Sequence, residues 1–185
     1  MRIEIISGSA RVNSTTFRLA LHLQKRLAQS TEHEVNIIDC REHELPPLQE
    51  VFGSVERTPE QYRALSERVF AADAFILVTP EYNGSYTPAM KNLLDHFPKQ
   101  QHKPFGIATA SPGGLGGIRA AMQLQQLIYA LFGIGSPFML VTPGIDKKFD
   151  EEGNLLDLGF DKSIDQFIRE YLWLAEKLVH EKEIA

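Results

Sequence analysis

Three observations on this sequence predict a doubly wound α/β fold, with one parallel sheet of five strands and helices on both faces. Short β-rich apolar runs alternate with amphipathic helical stretches from one end of the chain to the other, in the order βαβαβαβαβα. The run Phe75-Ile-Leu-Val78 is apolar throughout, as suits a strand covered on both faces. The polar and glycine-rich stretches fall where strands hand over to helices, the end of an open α/β sheet that receives ligands. With 185 residues and 43% hydrophobic content, the chain has material for one sizeable core, so residues 1–185 read as a single domain.

Taken in order, Ile3, Ile5 and Ile6 open the first strand, which runs into the loop Ser7–Thr16. A helix follows with Phe17, Ala20, Leu21, Leu27 and Ala28 on its apolar face, widened by Leu19 and Leu23. Glu34 to Asp39 form the second strand through Val35, Ile37 and Ile38. Cys40 to Arg57, with Pro46, Pro47 and Gly53 and no clear period, reads as a long surface connection. Thr58-Pro-Glu-Gln61 matches a capping box with proline at the first helical position, opening a helix through Tyr62, Leu65, Val69 and Phe70. The central strand, Phe75 to Val78, ends at Pro80. Thr87 and Pro88 then read as N-cap and first helical residue, with Met90, Leu93, Leu94 and Phe97 at helical spacing.

The fourth strand is Phe105 to Ala110, followed by the glycine-dense turn Ser111–Gly117 and a helix from Ile118 to Phe132. Its Met122, Leu124, Leu127, Ile128 and Leu131 spread so widely that burial on more than one side is expected. Pro137 to Val141 supply the fifth strand. Phe149–Leu155 make a short excursion turning at Gly153-Asn154, and Ile164, Phe167, Ile168, Tyr171, Leu172, Ala175, Leu178 and Val179 line a long final helix. Five strands favour the flavodoxin-like order 2-1-3-4-5, in which the connections after strands 1 and 3 leave in opposite directions and meet at the switch point.

A net charge of −5 and a pI near 5.7, with no basic run, argue against nucleic acid or an anionic membrane as partner. No apolar run reaches membrane-spanning length, and no cationic and apolar leader precedes the first strand. The single cysteine, Cys40, excludes an intramolecular disulfide; together these features lead to the expectation of a cytoplasmic protein. His22, His33, His43, His96, His102 and His180 have no ligand spacing, so no metal site is expected.

The first loop presents Ser9, Arg11, Ser14, Thr15 and Thr16 immediately before a helix. Unpaired N–H groups at a helix amino terminus, hydroxyl donors and a guanidinium suit a phosphate. Capping by Ser14 or Thr15 would account for one hydroxyl but not for the whole set. The second loop, Pro80, Glu81, Tyr82, Asn83, Gly84 and Ser85, can offer backbone N–H groups and the Asn83 amide to the polar edge of a heterocycle; a plain turn at Asn83-Gly84 is the alternative. In the third, Ser111, Pro112, Gly113 and Gly114 let backbone approach a ring closely, with the same alternative. A phosphate pocket, an amide-lined slot and a glycine wall at one switch point fit a phosphorylated flavin.

Gly8-Ser-x-Arg11-x-x-Ser14, Pro80-Glu-Tyr-Asn-Gly-Ser85 with Pro88-Ala-x-Lys-Asn92-x-x-Asp95, and Gly113-Gly-x-Gly-Gly117-x-Arg119 resemble the signatures of the NADPH-dependent FMN reductase family, which includes quinone, chromate and azo-dye reductases. The resemblance covers nearly the whole chain and is most specific in the second motif. It implies FMN as cofactor, NADPH or NADH as donor, a small-molecule acceptor (a quinone, azo compound, metal oxyanion or free flavin), and a homodimer or homotetramer. It places the phosphate on Ser9, Arg11, Ser14 and Thr16, the isoalloxazine against Pro80–Asn83 and Ser85, and the pyrimidine side against Ser111, Gly113 and Gly114. Tyr86 and Thr87 depart from the family pattern, and Lys91, Asn92 and Asp95 are expected to brace the site. No side chain is expected to act as acid or base, because the flavin carries the chemistry. A one-electron carrier of the flavodoxin type is the alternative, which Arg11 disfavours, as is a flavin-binding protein without turnover. The helix after Gly117 is expected to aim its positive end at the flavin, with no Asp or Glu in Ser111–Ile118.

Overall fold

The computed structural model describes residues 1–184. Strands β1 (Arg2–Ser7), β2 (Glu34–Asp39), β3 (Ala74–Thr79), β4 (Pro104–Ser111), β5 (Ile134–Gly135) and β6 (Leu140–Pro143) alternate with helices α1 (Thr15–Ser30), α2 (Arg63–Ala71), α3 (Pro88–Asp95), α4 (Ile118–Ala130), α5 (Ile145–Lys148) and α6 (Asp161–Ile184). Every pairing is parallel, in the order β2-β1-β3-β4-β5, with β6 also on β4. The expected flavodoxin-like arrangement is therefore present, with β1 beside β3 and their loops adjoining.

The sheet separates two cores. On one face Ile3, Ile5, Ile76, Val78 and Ala108 pack against Leu19 and Leu23 of α1 and Phe167 and Tyr171 of α6. On the other Ile6, Phe75, Leu77, Phe105 and Ile107 meet α2, α3 and α4 through Leu65, Val69, Leu93, Leu124 and Ile128. All six residues of β3 are buried, as its unbroken apolar run requires. Glu4 is a buried carboxylate held by Arg68 of α2, whose Nε and Nη2 donate at 3.1 and 2.5 Å.

Two expectations need correction. The edge strand expected at Pro137–Val141 is split. Ser136 N–H donates to Phe105 O at 2.7 Å, but Pro137 has no N–H with which to continue, so the chain leaves β4 and rejoins it with Leu140 opposite Ala108. Thr58 is not an N-cap: its hydroxyl bonds Ser54 O at 2.8 Å and Ser66 Oγ at 2.9 Å, and a 3-10 turn at Glu60–Tyr62 precedes α2. The broad apolar surface of α4 is largely consumed within the chain, since Leu124, Leu127, Ile128 and Leu131 are all buried while Met122 and Tyr129 remain exposed.

Candidate functional site

The site is built on α1, whose amino end supplies its floor. Ser14 is extended at φ −78°, ψ 109° and its Oγ accepts from Phe17 N at 3.2 Å, so it caps the helix and keeps its hydroxyl proton for another partner. The N–H groups of Thr15 and Thr16 belong to the first turn and have no intrahelical acceptor; no acidic residue stands there to compete for them. Ser9, nearly fully buried, accepts from Arg11 N at 3.5 Å. The helix is pinned along its length by the excursion after α5. Arg18 Nη1 donates to Phe149 O at 3.1 Å and His22 Nδ1 lies 2.9 Å from Gly153 O. Gly153, at φ +78°, has no room for a Cβ, which would stand 2.8 Å from Arg18 O.

The second loop is organised as a tight turn. Tyr82 N–H donates to Ser85 O at 2.9 Å and Ser85 N–H to Tyr82 O at 3.1 Å, with Asn83 at φ 51° and Gly84 at φ 82°. Two successive positive φ values are the pattern of a type I′ turn, and Asn-Gly is its preferred pair. Glu81 turns towards α4, where its Oε2 accepts from Arg119 N at 3.0 Å and its Oε1 from Arg119 Nη1 at 3.2 Å. This corrects the expectation for α4: a first-turn amide at its amino end is engaged by a carboxylate. Sequence reasoning did not assign Arg119 this role, although an acidic residue in one loop and a helix start in the next was a usable signal.

The third loop divides into two glycine pairs. Gly116 (φ 60°) and Gly117 (φ 88°) are required by the backbone, and a Cβ on them would lie 2.7 Å from Pro143 N and 2.9 Å from Thr109 Cβ. At Gly114 a Cβ meets nothing, and at Gly113 only Ser111 Oγ at 3.7 Å. The space beside this second pair is not used by the chain itself.

Ser9, Arg11, Ser14, Thr15, Thr16, Pro80, Glu81, Tyr82, Ser111 and Pro112 converge on one cavity of about 140 Å³, joined by Asn13 and Ala110, which sequence reasoning passed over. Asn13 stands between Arg11 and Ser14 and could have been included on its donor chemistry. Asn83, Gly84, Ser85, Gly113 and Gly114 lie outside this lining. The Arg11 guanidinium sits 4.9 Å from the Tyr82 ring centroid, and the buried Tyr82 hydroxyl has no partner in the chain.

These features fit FMN. The cavity's hydroxyls, guanidinium and helix amino end suit a phosphate, and the glycine pair Gly113-Gly114, where a Cβ would meet little or nothing, leaves room for a flat ring. Tyr86 is not in the lining; it packs partly buried against the core under α2, α3 and α4. Asn92 Nδ2 donates to Leu45 O at 2.9 Å and Pro46 O at 3.0 Å, bracing the long connection after β2, while Lys91 pairs with Asp95. Cys40 is buried, and desolvation first, with Asp39 adding to it, pushes its thiol up to about 12, which removes it as a nucleophile at neutral pH. Among the described residues no cluster of three or more His, Cys, Asp or Glu could hold a metal ion, and no helix is long and apolar enough to cross a membrane.

Residues 1–141 match the family model described as NADPH-dependent FMN reductase. The FMN-dependent NADPH-azoreductase of Staphylococcus aureus is 34% identical over 154 residues, 81% of either chain. Among solved structures, the flavoenzyme NAD(P)H:(acceptor) oxidoreductase FerB from Paracoccus denitrificans superposes with a TM-score of 0.80 at 23% identity, over 95% of this chain and 97% of its own. An FMN-dependent NADH-azoreductase from Bacillus anthracis str. Ames Ancestor, in complex with FMN, gives 0.59 at 12% identity over 92% of this chain and 99% of its own.

Proposed function

The chain belongs to the NADPH-dependent FMN reductase family and is an FMN-dependent NAD(P)H oxidoreductase, and from that premise we propose which residues hold the cofactor and where the electrons go. Ser9, Arg11, Ser14, Thr15 and Thr16 grip the FMN phosphate, with Asn13 beside them. The backbone of Pro80–Asn83, with Gly84 and Ser85 shaping the turn, meets the ring, and Ser111, Pro112, Gly113 and Gly114 form the third wall. Bound FMN supplies the hydride chemistry, accepting from NADPH or NADH and reducing a small acceptor. The chain's own part is position and charge: Arg11 and the α1 amides neutralise the phosphate, and the Glu81–Arg119 pair fixes the ring loop against α4.

The acceptor is a quinone, azo compound, metal oxyanion or free flavin, and the azoreductase relative makes an azo dye the first to test. We read residues 1–185 as one FMN-binding domain of a cytoplasmic enzyme, working as a homodimer or homotetramer through α3 and α4, where Met122 and Tyr129 remain exposed. The observation that carries the reading is the convergence of free donors at the start of α1 with the loops after β3 and β4. Purified protein should be yellow, bleach anaerobically with NADPH or NADH, and regain colour when an azo dye or quinone is added. Flavin that binds but is not bleached by either nucleotide would overturn the enzymatic reading, and a monomer by light scattering at micromolar concentration would overturn the assembly.

A further inference from the structure

We propose that Thr87 is a positioning residue that sets the spacing between the phosphate loop and the ring loop, so that FMN is held as a two-point ligand. The inference rests on the cofactor assignment above. Thr87 is almost fully buried at the start of α3, outside the cavity lining. Its single hydroxyl does two things at once: the oxygen accepts from Met90 N at 3.2 Å, capping α3, and its proton is donated to the carbonyl of Gly8, in close contact. Thr87 N–H in turn donates to Thr79 Oγ1 at 3.3 Å, and that hydroxyl donates to Pro80 O at 3.0 Å. The neck of the ring loop is therefore closed by two threonines, and one of them is tied to the residue that opens the phosphate loop.

Gly8 is shaped for this contact. Its N–H donates to Val78 O at 2.8 Å, and a Cβ on it would lie 2.7 Å from Met90 Cε, 3.0 Å from Met90 Cβ and 3.2 Å from Thr87 Oγ1. The backbone of the phosphate loop thus lies flush on the first turn of α3. A hydroxyl can make this joint because it has one proton to give and lone pairs to receive; valine, of the same shape, can do neither. FMN engages one loop through its phosphate and the other through its ring. A ligand held at both ends loses the benefit of linkage when the distance between its two subsites is no longer fixed, whereas a ligand using one subsite loses nothing.

The test titrates excess protein against FMN and against riboflavin, which lacks the phosphate, by flavin fluorescence. Thr87→Val should weaken FMN about ten-fold or more while riboflavin changes less than about two-fold, and Thr87→Ser should restore FMN to near the parent value. Gly8→Ala, whose Cβ crowds Met90 and the Thr87 hydroxyl while keeping that hydroxyl in the chain, should reproduce the same split and keeps the test open if Thr87→Val does not fold. Equal weakening of both flavins, unchanged FMN affinity, or a parent chain that does not bind riboflavin would overturn the proposal. A parent chain that does not bind FMN would instead overturn the cofactor assignment beneath it.

Discussion

The loop after β1 and the loop after β3 stand side by side at the carboxyl end of the sheet, and they use their polar residues in opposite ways. In the first, Ser14 spends one lone pair on Phe17 N, and Ser9, Arg11, Ser14, Thr15 and Thr16 line the cavity. In the second, the backbone of Tyr82 and Ser85 is satisfied internally and the Glu81 carboxylate is committed to Arg119. The first is therefore a site by side-chain chemistry, the second by backbone shape. Substitutions should separate the two accordingly.

The largest effect is expected at Arg11. Arg11→Ala removes a charged donor from a dianionic phosphate and should weaken FMN binding by about 1.5–3 kcal/mol, with little change in the stability of the FMN-free chain. Fluorescence quenching that shows equal affinity would remove the first loop's claim to side-chain recognition. Gly84→Ala comes next. At φ 82° an alanine costs roughly 1–2 kcal/mol, and this should register in denaturant unfolding of the FMN-free chain, the reverse of Arg11→Ala.

Ser14→Ala tests whether one hydroxyl has two employments. Loss of the cap should lower stability by about 1 kcal/mol without ligand, and the deficit should grow when FMN is added. If the deficit is the same with and without FMN, Ser14 is a cap and nothing more. The smallest effect belongs to Glu81→Gln. Glutamine can still accept from Arg119 N, and the ion pair is partly exposed, so stability should fall by no more than about 1 kcal/mol and FMN affinity should change less than about three-fold. A large loss of affinity would make Glu81 a ligand and erase the contrast between the loops.

What the sequence revealed and what it hid follow the same division. Apolar periodicity carried the two-faced core and the unbroken burial of β3, because each is set by area removed from water along a regular element, while the strand order followed from the number of strands and the rules for their connections. The first loop was legible because its donors are contiguous and precede a helix. Thr58 misled because a capping-box pattern says nothing of Ser66, which lies across the turn and takes the hydroxyl instead. The break at Pro137 and the Glu81–Arg119 pair depend on where one element finishes relative to another, and that relation is written in three dimensions. The breadth of the apolar surface of α4 was legible as well, and the fold buries Leu124, Leu127, Ile128 and Leu131 while Met122 and Tyr129 stay exposed.

The burial of His22 between α1 and the excursion makes the platform of the site sensitive to protons. Burial lowers the imidazole's affinity for a proton; the Gly153 carbonyl works in the opposite direction but less strongly, with Arg26 and Lys25 opposing protonation and Asp161 favouring it. The folded-state value thus lies below the ordinary 6.5, so the unfolded chain takes up a proton that the folded chain refuses. This contribution to stability is complete above 6.5 and is lost as the pH falls from there to the lower folded-state value. The Phe149 ring lies tilted with its centroid 4.9 Å from this imidazole, and since Nδ1 already serves the Gly153 carbonyl, an added proton would enter at the buried Nε2, which has no partner in the chain. A urea midpoint that falls between pH 7.5 and 5.5, and falls less in His22→Gln, would mark acid as the solvent condition that loosens the excursion from α1.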